Sequence, residues 1–300
     1  MTTSFAPFRL KPWFSERVWG KTDLRPWYTD TGTAEPVGEA WLTGPQCLVE
    51  TGMFAGRTLA SLTTEMGAEF PLLVKLLFPA EKLSVQVHPD DAQAKALGET
   101  RGKTECWYVL EATRGAAVAL GVKDGVDAAA LRAAIADGTM ESLLRQVPVS
   151  VGDMLFVDAG TVHAIGPGVV LLETQQTSDV TYRLYDYGRP RELHLEKGLQ
   201  VMRAKTAAGK VPPKRIDGFT RLIDQRYFVV DRFESISKRD LHVSFDGPGC
   251  LVGLSGTGLV RCGANAVELK ASQAVVIPAD SGSVIVNGGG VSFVRCVAPV

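Results

Sequence analysis

The sequence predicts a mainly β fold made of two small antiparallel sandwiches or barrels. Short runs rich in Val, Leu and Ile fill much of the chain before residue 205, and similar runs return after residue 222. Gly, Pro and Asp separate these runs at short intervals, which is typical of antiparallel strands joined by tight turns. Hydrophobic residues make up 45% of the 300 positions, so the chain can bury one large or two modest cores.

The predicted elements follow from local patterns. The clearest strands are PLLVKLLF (71–78), LSVQVH (83–88), ECWYVLEA (105–112), AAVALGV (116–122), MLFVDAG (154–160) and VVLLETQQ (169–176). Helices are predicted only as inserts, at 90–98, 127–138, 139–147 and 191–203. Aspartate precedes the first helix and glycine follows it, as helix caps require, while Pro148 closes the middle pair.

The predicted domains are a catalytic domain at 1–205, a linker at 206–220 and a smaller β domain at 221–300. The linker prediction rests on TAAGKVPPKRIDG (206–218), which is rich in Gly, Pro and Lys and has no periodicity. The segment GLSGTGLVRCG (253–263) contains a glycine pattern, but no helix follows it. We therefore expect turns there rather than a phosphate-binding loop.

Composition narrows the class of function. The formal net charge is −1 and no Lys/Arg-rich run is present, so we expect no nucleic-acid partner. Charges and prolines interrupt the N-terminal segment, and no later run has the apolar length of a membrane span, so we expect a cytoplasmic protein. The oligomeric state stays open. The cysteines lack C-x-x-C spacing and are predicted to be reduced and mostly buried: Cys47, Cys106, Cys250, Cys262 and Cys296.

Two predicted strands each direct polar side chains to one face. In LSVQVH, alternation groups Ser84, Gln86 and His88 on the face opposite the apolar residues. In GKTECWYVL, the same alternation groups Lys103 and Glu105 with an aromatic ring. The two faces together offer a nitrogen ligand, an amide oxygen, a carboxylate and a cation.

A third segment has the spacing of the second cupin motif, G-x5-P-x-G-x2-H. Gly152, Gly160 and His163 match it, and Asp158 stands at the usual proline position. Because aspartate also favours turns, the substitution is compatible with the motif. The first cupin motif is matched only loosely, since a Q-x-H pair replaces H-x-H and the carboxylate follows 17 residues after the histidine.

Two histidines, a carboxylate and an amide form a candidate metal site without a thiolate: Gln86, His88, Glu105 and His163. Such nitrogen and oxygen donors suit zinc and would also accept manganese, iron or cobalt. A single histidine on a strand is more often a hydrogen-bonded core residue than a ligand. That structural interpretation applies to His194 and His242, which have no comparable neighbours.

At these residues the sequence resembles the type I phosphomannose isomerases, zinc cupins that interconvert mannose 6-phosphate and fructose 6-phosphate. The resemblance extends over about residues 10–205. It rests on PLLVKLLFPAEKLSVQVHPDD, GKTECWYVLEA, DAGTVHAIGPG and ETQQTSDVTYRLYDYGRPRELHLEKGLQV, and more weakly on RVWGK and GEAW. The C-terminal part is similar to the shorter bacterial members.

The resemblance implies an aldose–ketose isomerase with one zinc ion per chain, bound by the four candidate ligands. It also implies an active-site arginine at Arg183 and a substrate-facing Lys103, and we add Ser84 as a candidate substrate contact. In the second β domain, VVIPADSGSV aligned on the first domain's motif places Ser283 where the first domain has His163. No metal is therefore expected in the second domain.

The implied reaction removes a weakly acidic C–H proton and passes through a cis-enediol, so negative charge develops on oxygen. A metal acts as a Lewis acid on that charge, and Arg183 is suited to stabilise it. The proton carrier stays open among Lys103 and a metal-bound water, since Lys103 could instead hold the phosphate. Lys75 and Lys21 are further cations that could face the phosphate or lie at the solvated surface.

Two other functions are alternatives to the isomerase, an oxygenase and a regulatory protein. Many cupins use histidines and a glutamate to hold a metal that activates dioxygen, but they seldom recruit glutamine with a nearby lysine and arginine. A regulatory cupin that binds a sugar phosphate without catalysis is the second, and the intact ligand set with Lys103 and Arg183 argues against it. Isomerisation under anaerobic conditions would separate the first alternative from the predicted enzyme.

Overall fold

A computed structural model describes residues 6–235 and 239–299, and the fold is mainly β, as predicted. The strands of these residues are β1 (Phe8–Lys11), β2 (Trp13–Lys21), β3 (Val37–Trp41), β4 (Leu48–Val49), β5 (Leu72–Leu77), β6 (Val85–Val87), β7 (Glu105–Ala112), β8 (Ala117–Val122), β9 (Leu144–Pro148), β10 (Met154–Val157), β11 (His163–Ile165), β12 (Val169–Gln176), β13 (Tyr182–Tyr185), β14 (Gly209–Val211), β15 (Lys214–Ile216), β16 (Phe219–Asp224), β17 (Val229–Glu234), β18 (Leu241–Ser244), β19 (Gly249–Ser255), β20 (Thr257–Cys262), β21 (Asn265–Lys270), β22 (Ala274–Ile277), β23 (Ser283–Asn287) and β24 (Ser292–Val297). The α-helices are α1 (Thr63–Met66), α2 (Asp91–Ala96), α3 (Ala128–Asp137) and α4 (Leu195–Val201). Short 3₁₀ turns lie at Leu59–Leu62, Met140–Leu143 and Ala279–Ser281.

The chain divides into two compact units whose boundaries differ from the predicted domains. The first unit comprises Met1–Glu16, Thr22–Leu76 and Pro212–Val300, and the second comprises Arg17–Lys21 and Leu77–Val211. The N-terminal strand belongs to the first unit because β1 pairs with β22, with Phe8 opposite Val276. Such a pairing joins positions far apart in sequence, so no local pattern predicts it.

The segment predicted as a linker, 206–220, contains short strands. Within it, β14 pairs antiparallel with β10, and β15 pairs with β16. Strands β14 and β15 are edge strands of their sheets, so each forms backbone hydrogen bonds with only one neighbouring strand. An edge strand needs no alternation of buried and exposed side chains, so the amino-acid pattern of this segment gives no strand signal.

The second unit is a β-sandwich. One layer contains neighbouring strands in the order β14-β10-β7-β12, and the other layer has the order β13-β6-β11-β8-β9. Side chains from both layers form one buried core, including Trp107 and Leu171 from the first layer and Val118 and Ile165 from the second. A separate buried cluster lies on the opposite face of the second layer, where strand residues pack against α3, α4 and the intervening 3₁₀ turn. The second layer therefore has an interior face and a helix-covered face.

The first unit contains another pair of layers. The larger has the order β15-β16-β17-β24-β19-β22-β1-β4, and the smaller has the order β18-β23-β20-β21. Their shared core includes Phe233 and Phe293, whose rings stack with centroids 5.2 Å apart, together with Val260 and Val286 from the smaller layer. The glycine-containing segment 253–263, where turns are predicted, contains the end of β19 and all of β20, and strand β21 rather than a helix follows it.

Two helix predictions are confirmed and two need correction. Asp90 and Asp127 cap α2 and α3 as expected. The helix predicted at 139–147 is only a 3₁₀ turn followed by β9, because β9 forms a ladder with β8 and this pairing overrides helix propensity. The helix predicted at 191–203 begins at Leu195, since the preceding residue bonds to the backbone of β13.

No helix among the described residues is long and apolar enough to cross a membrane. The predicted cytoplasmic location stays a prediction. All five cysteines are free thiols, and four of them are buried, which agrees with the prediction from their spacing.

Candidate active site

Strand alternation places three candidate ligands on the interior face of the second unit. On β6, Val85 and Val87 belong to the helix-covered cluster, so Gln86 faces the interior, as does His88 directly after the strand. His163 on β11 lies directly opposite Gln86 in the ladder. The predicted alternation therefore holds over Val85–Val87, but not at Leu83, which precedes the strand and packs in the interior core.

The facing layer contributes the carboxylate. Glu105 begins β7, and Trp107 two residues later lies in the interior core. Their partners on β12 are Gln175, opposite Glu105, and Glu173, opposite Trp107. All four side chains are buried, so this strand pair presents two carboxylates and an amide to the same interior space.

His88, Glu105 and His163 converge although they come from three different segments. Their candidate ligand atoms all lie within 4.8 Å of one another. Glu105 Oε2 is 3.6 Å from His88 Nε2, and Glu105 Oε1 is 3.4 Å from His163 Nε2. The histidine ring centroids are 4.8 Å apart. Three of the four predicted ligands thus meet at one point.

The donor atoms fit a divalent metal ion. His163 Nδ1 lies 2.9 Å from the carbonyl oxygen of Thr161, which can only accept, so Nδ1 donates and Nε2 carries the lone pair. Buried His163 Nε2 and Glu105 Oε1 have no hydrogen-bond partner among the described residues. Burial lowers the pKa of His163 to about 4, which keeps the ring neutral as a ligand must be. Neutral imidazoles and a carboxylate are the donors of zinc sites.

Lys103 lies inside the cluster. Its side chain is buried, and Nζ is 2.9 Å from Glu105 Oε2 and 3.9 Å from Glu173 Oε1. Nζ also donates to His88 Nε2 at 3.2 Å. The ammonium therefore compensates two buried carboxylates, and it shares the face predicted for it beside Glu105.

Arg183 lies on β13, next to the strand that carries Gln86 and opposite Gln86 in the ladder. Its neighbours Tyr182 and Leu184 belong to the helix-covered cluster, which directs Arg183 to the interior face. One guanidinium nitrogen donates to the carbonyl oxygen of Glu192 at 2.7 Å. Burial lowers the pKa of Arg183, and the nearby cations Arg191 and Arg189 lower it further.

His194 has the structural role predicted for it. Its Nδ1 accepts a hydrogen bond from the backbone of Arg183 at 3.3 Å, and its backbone N–H donates to the carbonyl oxygen of Arg183 at 2.7 Å. This pair of bonds fixes the strand that carries the arginine. His242 is exposed on β18.

The other residues predicted from the sequence lie at several places in the two units. Ser84 is buried just before β6, and Gln86 is half-buried; their roles in binding stay predictions. Ser283 is exposed at the start of β23 in the first unit. Lys75 is not a surface residue, because its side chain is buried in the first unit 3.8 Å from Glu39, whereas Lys21 is half-buried.

Sequence analysis did not single out Glu173 and Gln175. Glu173 Oε2 accepts a hydrogen bond from Trp107 Nε1 at 3.0 Å, and Gln175 Nε2 donates to the carbonyl oxygen of Gln176 at 3.1 Å. Both lie in VVLLETQQ at alternate positions after an apolar run. Four consecutive polar residues at the end of an otherwise apolar, buried strand were the available signal.

The chain is similar in sequence to known proteins. Residues 7–115 match the sequence model of the catalytic domain of type I phosphomannose isomerase. The mannose-6-phosphate isomerase ManA of Bacillus subtilis is 39% identical over 257 residues, which cover 78% of this chain and 80% of ManA. The chain belongs to the type I phosphomannose isomerase family. The resemblance found in the sequence is thereby confirmed.

Two further relatives extend the similarity along the chain. The mannose-6-phosphate isomerase of Streptococcus mutans is 33% identical over 294 residues, covering 91% of this chain and 92% of the relative. The crystal structure of the Bacillus subtilis mannose 6-phosphate isomerase superposes with a TM-score of 0.87 at 31% identity, covering 97% of this chain and 99% of that one. Phosphomannose isomerases of nearly the same length therefore share this fold.

Proposed function

We propose that this member of the family interconverts mannose 6-phosphate and fructose 6-phosphate, moving the carbonyl between C1 and C2 through a cis-enediol. The observation that carries the proposal is the convergence of His88, Glu105 and His163, with Lys103 among them. Arg183 lies on the neighbouring strand β13, opposite Gln86 in the ladder, which supports a place for it beside these groups. Such a site combines ligands for a cation with fixed positive charge, which suits a reaction that generates an enediolate.

The three clustered side chains would hold a divalent metal ion, with Gln86 as a fourth ligand because it is paired with His163 across the ladder. Zinc is the proposed ion, since two neutral imidazoles, a carboxylate and an amide form a borderline donor set. A bound ion of this kind supplies Lewis-acid polarisation of the sugar oxygens.

Lys103 and the metal compete for one lone pair. Lys103 Nζ donates to His88 Nε2, a ring nitrogen that could also bind an ion. One lone pair cannot serve both, so an ion bound at His88 Nε2 would leave the Lys103 ammonium available to the sugar. Glu105 and Glu173, whose carboxylates lie within 3.9 Å of Nζ, keep it on the interior face.

Arg183 would stabilise the enediolate. Its guanidinium stays protonated in proteins, and one of its nitrogens donates to the backbone carbonyl oxygen of Glu192. A fixed donor of this kind typically contributes ~3 kcal/mol to the transition state. The carboxylate of Glu173 can take up the proton that leaves C1 or C2 and return it to the neighbouring carbon, whereas Lys103 can do so only as a neutral amine.

We further propose that each sandwich is a cupin-type β-barrel, or jelly roll, and that the second unit alone is catalytic. All the proposed ligands and both cations that would face the sugar fall within its range, Leu77–Val211. In the first unit, the exposed Ser283 offers a hydroxyl where the motif of the second unit has a histidine. We therefore expect one metal ion per chain.

The direct test is metal removal followed by assay. Prolonged dialysis against a strong chelator is expected to abolish isomerisation of mannose 6-phosphate in a coupled assay, and added zinc is expected to restore it. Metal content is measured on the same samples. Full activity in a preparation shown to be metal-free would overturn the proposed site.

A matched pair of variants tests whether the metal ion is bound at the proposed site. Glu105→Gln keeps the size of the side chain but removes the charge that binds the ion, so we expect both metal content and turnover to fall. His242→Gln removes an exposed histidine of the first unit and is expected to change neither. Equal effects of the two substitutions would show that the ion is bound elsewhere.

A further inference from the structure

The turn between β10 and β11 touches both histidines of the proposed metal site. The backbone N–H of Gly160 donates to the carbonyl oxygen of His88 at 2.8 Å. The carbonyl oxygen of Thr161, the next residue, accepts the hydrogen bond from His163 Nδ1. One short turn thus sets the backbone at one histidine and the ring orientation of the other.

The carboxylate of Asp158 holds this turn from within. Oδ1 accepts from the hydroxyl of Thr161 at 2.8 Å, and Oδ2 accepts from the backbone N–H of Ala207 at 3.0 Å. The carbonyl oxygen of Asp158 also accepts from the backbone N–H of Thr161 at 3.1 Å. Asp158 therefore bonds twice to the residue that fixes His163, and it anchors the turn to the segment before β14.

This position departs from the cupin motif, which has proline there. Proline restricts φ covalently and offers no side-chain acceptor. Asp158 lacks that restriction but supplies two acceptor oxygens, so hydrogen bonds take the place of a rigid ring. The turn's geometry in this chain depends on a carboxylate.

We propose that Asp158 is a positioning residue for the metal centre: through Thr161 it fixes the ring orientation and tautomer of His163 and so raises the affinity for the ion. The proposal rests on the metal site proposed above. Groups that orient a metal-binding histidine typically change metal affinity 10- to 100-fold when they are removed. Asp158 itself touches neither the ion's ligand atoms nor the sugar in this assignment.

The experiment compares Asp158→Ala with Asp153→Ala. Asp153 lies at the other end of β10, where its carboxylate accepts from the backbone N–H of Ser150 and pairs with Lys210. The rate of zinc transfer to a chromophoric chelator and the zinc dissociation constant are measured for both. Asp158→Ala is expected to weaken zinc binding about 10- to 100-fold, and Asp153→Ala is expected to stay within about twofold of the parent.

Two conservative variants separate positioning from loss of folding. Asp158→Asn keeps one acceptor oxygen and is expected to give an intermediate loss. Thr161→Ser keeps the hydroxyl and is expected to retain parental affinity, whereas Thr161→Val is expected to resemble Asp158→Ala. The proposal is overturned if the valine and serine variants bind zinc equally well.

A second readout works without metal. Nitrogen chemical shifts of His163 in the metal-free protein report which ring nitrogen carries the proton. We expect the Nδ1–H form to predominate in the parent and in Asp153→Ala, and a mixture of tautomers in Asp158→Ala. Unchanged tautomer populations in Asp158→Ala would refute the proposal, even if the parent protein bound no zinc and the metal site itself had failed.

Discussion

Replacing Arg183 by alanine tests whether its charge acts mainly in the transition state. The Arg183 side chain is half-buried, and within the described part of the chain its guanidinium donates to the carbonyl oxygen of Glu192. Loss of that bond should cost about 1 kcal/mol of folding free energy. Loss of a fixed donor to a developing oxyanion should cost about 3 kcal/mol of barrier, or roughly a hundredfold in kcat.

The expected change in the activation barrier is larger than the expected change in folding free energy, so kinetics and unfolding can distinguish a catalytic role from a structural one. We expect kcat and kcat/KM to fall together by about a hundredfold while KM changes little, because the interaction exists mainly in the transition state. Arg183→Lys keeps the charge but loses the planar fork, so it should recover only part of the loss. Arg132→Ala is the control: it removes an exposed arginine of α3 that pairs with Glu196, and we expect an unchanged kcat.

Steady-state kinetics on mannose 6-phosphate and urea unfolding of the zinc-loaded variants supply these numbers. A steep rise in KM at normal kcat would refute the assigned role. Arg183 would then be a contact of the bound sugar phosphate, and charge stabilisation would fall to the metal and Lys103.

Other substitutions test the packing around the site. Lys103→Met in metal-free protein leaves Glu105 without its buried cation, so we expect unfolding free energy to fall by about 3–5 kcal/mol, with much of it recovered on adding zinc. Lys82→Met breaks an exposed ion pair and should cost less than about 1 kcal/mol; equal losses would contradict the argument. A Cβ on Gly102 would lie 2.5–2.7 Å from backbone atoms of the turn after β6. Gly102→Ala should therefore destabilise by about 1–3 kcal/mol in urea unfolding, whereas Gly209→Ala, with open space at its Cβ, should stay within about 1 kcal/mol of the parent.

Local periodicity decided which side chains share a face. In a strand, successive residues point to opposite faces, so Gln86 and His88 could be grouped from LSVQVH, as could Lys103 and Glu105 from GKTECWYVL. The glycine spacing before His163 fixed the third segment. These inferences needed only neighbours in sequence, and in the structure His88, Glu105 and His163 lie together.

Long-range pairing decided what the sequence could not. Glu173 and Gln175 join the site because β12 pairs with β7 in one particular register, and β1 joins the first unit because it pairs with β22. The carboxylate of Asp158 reaches Ala207 across 49 residues of chain. The sequence of one strand does not show which strand it pairs with, because the backbone groups that form the ladder are nearly the same in every residue. The sequence by itself therefore determined the ligand types and their faces, while only the tertiary structure decided which faces meet.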